Sequence, residues 1–218
     1  MKKISITILI FLFFNLGVFA QYMQDIQGRP LLEISYTDVT GTPFLFDAWI
    51  KGTVELENGL KYKDVPLKFS AYKDELFFKD SKSDNMLAFV VPVKTFVLDI
   101  ANDSKVYRNG FPDIDSFNGK SYYEVISDGT TKLLYKSYKT LLEIKPYNSA
   151  TVEKRFSDNA NYYVFKDGVM RKFKPSKKDV LALFSNKSTE IDTYLKSEKI
   201  DLKKNEDLKK LFEYCSSL

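Results

Sequence analysis

Histidine is absent from the 218 residues, and cysteine occurs once, at Cys215. Without histidine the Ser-His-Asp and Cys-His nucleophile arrangements are excluded, as are histidine-bearing zinc sites, and the commonest general base near neutral pH is missing. A single cysteine excludes an intramolecular disulfide and leaves almost nothing to hold zinc or an iron-sulfur cluster, so no cofactor is expected. Arginine is scarce too. Arg29, Arg108, Arg155 and Arg171 are the only ones among 33 basic residues. Recognition of phosphates and base edges leans on the planar arginine fork, so nucleic acid is not an expected partner. Carboxylates, lysines, tyrosines and hydroxyls remain to carry any chemistry.

The amino terminus reads as a cleavable secretory leader over residues 1–20. Lys2 and Lys3 form its positive start, Ile4 to Phe14 is nearly unbroken apolar chain, and Val18-Phe19-Ala20 suits a signal peptidase that cuts before Gln21. The apolar stretch is short for a membrane span, and Asn15 and Gly17 interrupt its end. Gln21 stands where a lipoprotein would need cysteine. Removing this leader takes away two lysines and no acid, which leaves 31 basic against 29 acidic residues, or +2. Such a balance gives no general attraction to polyanions. The expected location is the periplasm or cell envelope, or outside the cell, with no membrane span after cleavage.

Residues 21–174 carry the signals of strands, which are short runs rich in Val, Ile, Phe, Tyr and Thr. Five Asn-Gly or Asp-Gly pairs punctuate them, at 58–59, 109–110, 118–119, 128–129 and 167–168. Such pairs favour type I′ turns, whose central residues both take positive φ. Thr53 to Glu57 leads into the first pair and Leu60 to Tyr62 leads out, a hairpin signature. Val65, Leu67, Phe69 and Ala71 alternate with wetter residues, as do Phe96, Leu98 and Ile100. Met86 to Val91 and Tyr162 to Phe165 are apolar at successive positions, as expected of strands covered on both faces. Short connections imply an antiparallel meander, either one sheet or a partly closed barrel or sandwich.

Residues 175–218 change character. Pro175 stops a strand, Ser176 can cap a helix with Asp179 three residues on, and Val180, Leu181 and Phe184 share one face. Ile191, Tyr194 and Leu195 mark a second helix, and Leu208, Leu211 and Phe212 a third behind Asn205-Glu206-Asp207. Cys215 continues that last apolar face, the alternative role for it being an intermolecular disulfide. Helices this short must pack on something, and capping the sheet makes one domain. The expected class is therefore mainly β with carboxy-terminal helices. Charged wet faces and these polar terminal helices argue against an outer-membrane barrel.

Gly41-Thr42-Pro43-Phe44-Leu45-Phe46-Asp47-Ala48-Trp49, then Gly52-Thr53-Val54 and Lys63-Asp64-Val65-Pro66-Leu67-Lys68-Phe69, resemble a group of exported proteins common in Bacteroidota. Ser121-Tyr122-Tyr123-Glu124-Val125, Leu133 to Lys136, Tyr162 to Val164, and the closing segments at Tyr194 to Lys196 and Phe212 to Tyr214 are similar to the same group. The resemblance implies export and a β-rich architecture, and carries no activity or site.

Three places could carry function. Asp113, Asp115 and Asn118 crowd one loop with two glycines, the raw material of a calcium site. They lack EF-hand spacing: Phe117 stands where an oxygen ligand belongs, and the bidentate Glu is missing. A solvated loop between strands is the expected reading, and no metal is expected there. Arg171, Lys172, Lys174, Lys177 and Lys178 form a basic cluster at the strand-to-helix junction, suited to an anionic headgroup or to plain solvation. Glu55 and Glu57 share a strand face, the kind of pair a glycosidase would need, although same-face acids on a wet strand are routine. The expected function is a non-enzymatic binding or interaction module for a protein, an apolar ligand or a glycan. The alternative is a carboxylate-based hydrolase, which requires two acids facing each other across a deep pocket.

Overall fold

A computed structural model describes residues 26–31, 36, 38–101, 103–145, 147 and 152–218. The leader expected over 1–20 and its cleavage position lie outside them. The protein is mainly β, 47% strand and 18% helix, with an open sheet and three short helices at the carboxy terminus. In chain order the strands are β1 (Gly28–Pro30), β2 (Val39–Thr40), β3 (Ile50–Leu56), β4 (Lys61–Ser70), β5 (Glu75–Lys79) and β6 (Met86–Phe89). They continue as β7 (Val93–Ile100), β8 (Asp103–Arg108), β9 (Tyr123–Asp128), β10 (Lys132–Ile144), β11 (Glu153–Lys166) and β12 (Val169–Phe173). The helices are α1 (Lys177–Leu183), α2 (Ser188–Ser197) and α3 (Asn205–Ser217).

The sheet runs β1-β6-β5-β4-β3-β7-β8-β9-β10-β11-β12, with β2 on the side of β11. Two antiparallel meanders are thus joined where β7 pairs with β3 rather than with β6. Only Val90-Val91-Pro92 links β6 to β7. That link reaches about 14 Å between flanking Cα atoms, whereas β6 and β7 would stand about 19 Å apart across a flat sheet. The sheet must therefore roll, and the chain passes almost straight from one part of it to another, as strands do at the corners of packed sheets. Its rolled inner face holds Val54, Leu67, Phe69, Phe96, Leu98 and Tyr107. Phe96 and Tyr107 stack there with centroids 4.7 Å apart. Each such fully buried side chain contributes about 2–3 kcal/mol.

Four of the glycine dipeptides lie between consecutive antiparallel strands and the fifth starts on Asp128, the last residue of β9, but only Asp167-Gly168 has positive φ at both residues, 50° and 76°. At 58–59 the glycine alone is left-handed and Leu56 N–H donates to the Leu60 carbonyl, giving a hairpin with one extra loop residue. Gly129 is required for another reason: a Cβ there would lie 2.9 Å from Ser216 Cβ on α3. Two other expectations need correction. Val90 is 51% exposed because β6 ends at Phe89, so the Met86 to Val91 run is not covered throughout. And β2 pairs with β11 in parallel, so the sheet is not wholly antiparallel.

Among the three helices only α1 carries a side-chain N-cap; α2 and α3 are held by their buried apolar faces. Ser176 Oγ accepts from Asp179 N–H and donates to its carboxylate at 2.9 Å, a reciprocal cap. Val180, Ile191, Leu208, Leu211 and Phe212, all fully buried, face Ile126, Leu133, Val164 and Phe173 of the sheet. Behind that face, Phe111, Tyr123, Leu134, Tyr163 and Met170 form a third cluster under the loop between β8 and β9. Among the described residues, no helix is long and apolar enough to cross a membrane.

Candidate functional site

The loop between β8 and β9 contains the three oxygen-bearing residues of the calcium-like pattern, and the structure gives each a separate task. Asp113 Oδ1 accepts from Gly119 N–H at 3.1 Å, and Asn118 Oδ1 from Lys120 N–H at 2.9 Å. Asp115 Oδ2 takes the Tyr163 hydroxyl at 2.7 Å and Lys172 Nζ at 3.2 Å, which pins the loop onto the sheet. Those two donors, the tyrosine foremost, hold the Asp115 carboxyl below its ordinary value. Among the described residues, no group of three or more His, Cys, Asp or Glu side chains is placed to hold a metal ion.

The basic cluster is split by strand alternation and by α2. Arg171 and Phe173 occupy the side of β12 that faces the helices, while Lys172 points the other way to Asp115. Lys177 turns to Asp192 on α2, which also takes Lys196 at 2.7 Å, so the lysine opening α1 is an inter-helix tie. Arg171, Lys174 and Lys178 have no ion pair among the described residues.

Arg171, Lys172 and Lys174 border an open groove of about 670 Å³ between β11, β12 and α1. Tyr162, Val164, Phe173, Pro175, Ala182 and Leu183 supply its apolar walls. The groove exists because Pro175 ends β12 and sends the chain into α1, which crosses the sheet face at a distance set by Val180 and Phe184 packing on Phe212 and its neighbours. Its single carboxylate, Asp179, is occupied by Ser176. Tyr162 forms part of the wall and donates its hydroxyl to Asn205 Oδ1 at 2.6 Å, tying β11 to α3. Burial pushes this tyrosine up to about 12.

A second pocket, about 350 Å³, lies beside Lys136, a lysine only 1% exposed. Its Nζ donates to Asp74 Oδ1 at 2.6 Å and to the Tyr122 carbonyl at 2.8 Å, and sits 5.1 Å from the Phe117 ring centroid. Asp74 also accepts from Tyr122 N–H at 3.2 Å. Burial lowers the lysine from its ordinary value, with Asp74 opposing that shift. The group clamps the β4–β5 turn to β10, an arrangement that commits Lys136 and Asp74 to holding structure. A lysine in the apolar run Leu133-Leu134-Tyr135-Lys136 was its visible signal, and the distant Asp74 could not be paired with it by spacing. A further buried acid, Glu124, takes Lys105 at 2.7 Å and lies 3.4 Å from the Tyr107 hydroxyl, whose ionisation burial and Glu124 push far up.

Glu55 is engaged by Lys61 at 3.0 Å, which holds it below its ordinary value, and Lys94 stands 3.9 Å away. Neither pocket therefore presents two facing acids: the first contains Asp179 alone and the second Asp74 alone. Cys215 packs partly buried against the helix core, and burial pushes its thiol up to about 11. No family model, curated protein or solved structure matches the chain.

Proposed function

We infer that this is an exported, non-enzymatic binding module and that the groove along β11, β12 and α1 is where it holds its ligand. One observation carries the reading: apolar walls and two cations that have no ion pair among the described residues, Arg171 and Lys174, border a site whose one acid is already committed to a helix cap. Apolar walls with a few placed polar groups are what ligand grooves share. A hydrolase working through carboxylates needs a facing pair that neither pocket offers. The leader-like start and the resemblance to exported Bacteroidota proteins support placement in the periplasm or envelope. The raised thiol of Cys215 weighs against a dimer linked through it, because the thiolate is the reacting species.

Native mass spectrometry of the protein purified from its own envelope fraction tests both halves of this reading. The expected mass begins at Gln21, and a retained ligand or partner is present that disappears in Ala182→Glu. Ala182 is exposed, so that change fills the groove with negative charge without touching the core. A chain that keeps its leader, or a bound species indifferent to Ala182→Glu, contradicts the reading.

A further inference from the structure

The geometry points to the class of partner this groove takes: an extended, acidic polypeptide segment that docks as a short strand on the stretch of β11 that no described strand covers. This inference rests on the groove being the binding site and adds what occupies it. On one side β11 is paired with β10 along its whole length, Glu153–Lys166. On the other side β12 covers Tyr162 to Lys166, and β2 covers Lys154 and Arg155. Between them, residues 156–161 have no strand beside them among the described residues. The gap has a cause in the sequence. Pro175 cannot extend the ladder, so β12 ends opposite Tyr162 and the chain leaves for α1.

Which atoms face the gap follows from the adjacent turn. Asp167 and Gly168 form a two-residue hairpin loop with both φ angles positive, so Lys166 and Val169 are the hydrogen-bonded pair next to it. Bonding alternates along an antiparallel strand, and Val164 and Tyr162 therefore also bond towards β12. The register with β10 runs without a bulge through this stretch. By the same alternation Asp158 and Ala160 aim N–H and C=O into the open edge, while Asn159 and Asn161 spend theirs on β10. The opening between the last pairs of β2 and β12 is about 20 Å long, enough for a strand of about five residues.

The surroundings select the occupant. Ala160, Tyr162, Arg171 and Lys174 border the groove that continues from this edge. The acid at the edge, Asp158, is already met by Lys139 at 3.2 Å, whereas Arg171 and Lys174 have no ion pair among the described residues. An incoming strand that placed carboxylates on alternate residues would meet those cations and satisfy the backbone groups of Asp158 and Ala160 together. An acyl chain would cover the same walls while stripping water from those backbone groups without replacing their hydrogen bonds, which is unfavourable.

Selection of short random displayed peptides on the mature protein tests this, with palmitate as the acyl probe. The expected peptides are rich in Asp and Glu and bind wild type measurably by calorimetry. Their affinity falls about tenfold or more in Ala160→Pro, which removes an edge N–H while sparing the β10 ladder. That variant should keep the wild-type melting temperature, and should it fail to fold, peptides N-methylated at alternate residues read the same contact on the unaltered protein. Peptide binding should also slow amide exchange at Asp158 and Ala160, while Asn159 and Asn161 are protected with or without it. Peptides indifferent to both edge changes, yet lost in Ala182→Glu, overturn the strand pairing and leave the groove reading in place. Palmitate binding that Ala182→Glu abolishes, with no peptide selected, does the same. Neither peptide nor palmitate bound overturns both.

Discussion

The two halves of the sheet solve one problem in different ways. From β3 to β8 the sheet covers its own apolar face by rolling, with Phe69, Phe96 and Tyr107 packed across the interior. From β9 to β12 it stays open, and α1 to α3 supply the cover. Rolling leaves little room between the walls, so the first half is a packed interior. A helical cover rests on points of contact and leaves a groove where α1 crosses the edge of β12. The candidate site therefore belongs to the half that needed a lid.

Two substitutions of equal severity should separate the halves. Phe96→Ala and Phe212→Ala each remove a fully buried ring, and each is expected to cost about 3–5 kcal/mol in chemical denaturation. Amide exchange should quicken first in β3 to β7 for the former and first in β9 to β12 for the latter. Equal acceleration throughout in both variants would merge the two regions into one cooperative unit.

The clamp between the regions comes next in size. Lys136→Met leaves Asp74 with only the Tyr122 N–H, and is expected to cost about 3 kcal/mol in the same measurement. A loss no larger than that of an exposed lysine would mean the β4–β5 turn is held by packing alone, chiefly Lys139 N–H on the Ala71 carbonyl at 2.9 Å and the rings around Tyr72.

The smallest effect concerns the loop over the third cluster. The Asp115 carboxyl is held below 3.8, so its stabilising contribution is complete above that ordinary value and disappears as pH falls through the lower folded value. Asp115→Asn should therefore melt below wild type at neutral pH, and the gap should close in acid. A gap that stays constant with pH assigns the loop's anchorage to Phe111 and Phe117 instead.

Much of the fold was legible because short-range patterns report local geometry. The alternation Val65, Leu67, Phe69 is buried as its period requires, and Ser176 caps α1 as its spacing requires. Turn conformation was less legible: Asn58-Gly59 signals a hairpin in either loop length, and only the strands decide which one fits. Site chemistry was legible in parts. The basic run was visible, but strand alternation sends Lys172 to Asp115 and helix packing sends Lys177 to Asp192, so the run divides. The Lys136–Asp74 pair was invisible as a pair, since 62 residues separate its members.

Composition and periodicity alone determined that histidine chemistry is absent, that strands precede helices, and which face of each element is apolar, because these depend on residue type and on repeats of two or 3.6 residues. Tertiary structure alone decided that the sheet rolls, that β7 joins β3, and that a groove opens where the chain leaves β12 at Pro175. Those outcomes depend on which distant segments meet, and in a chain the meeting of distant segments is settled by packing the whole interior at once.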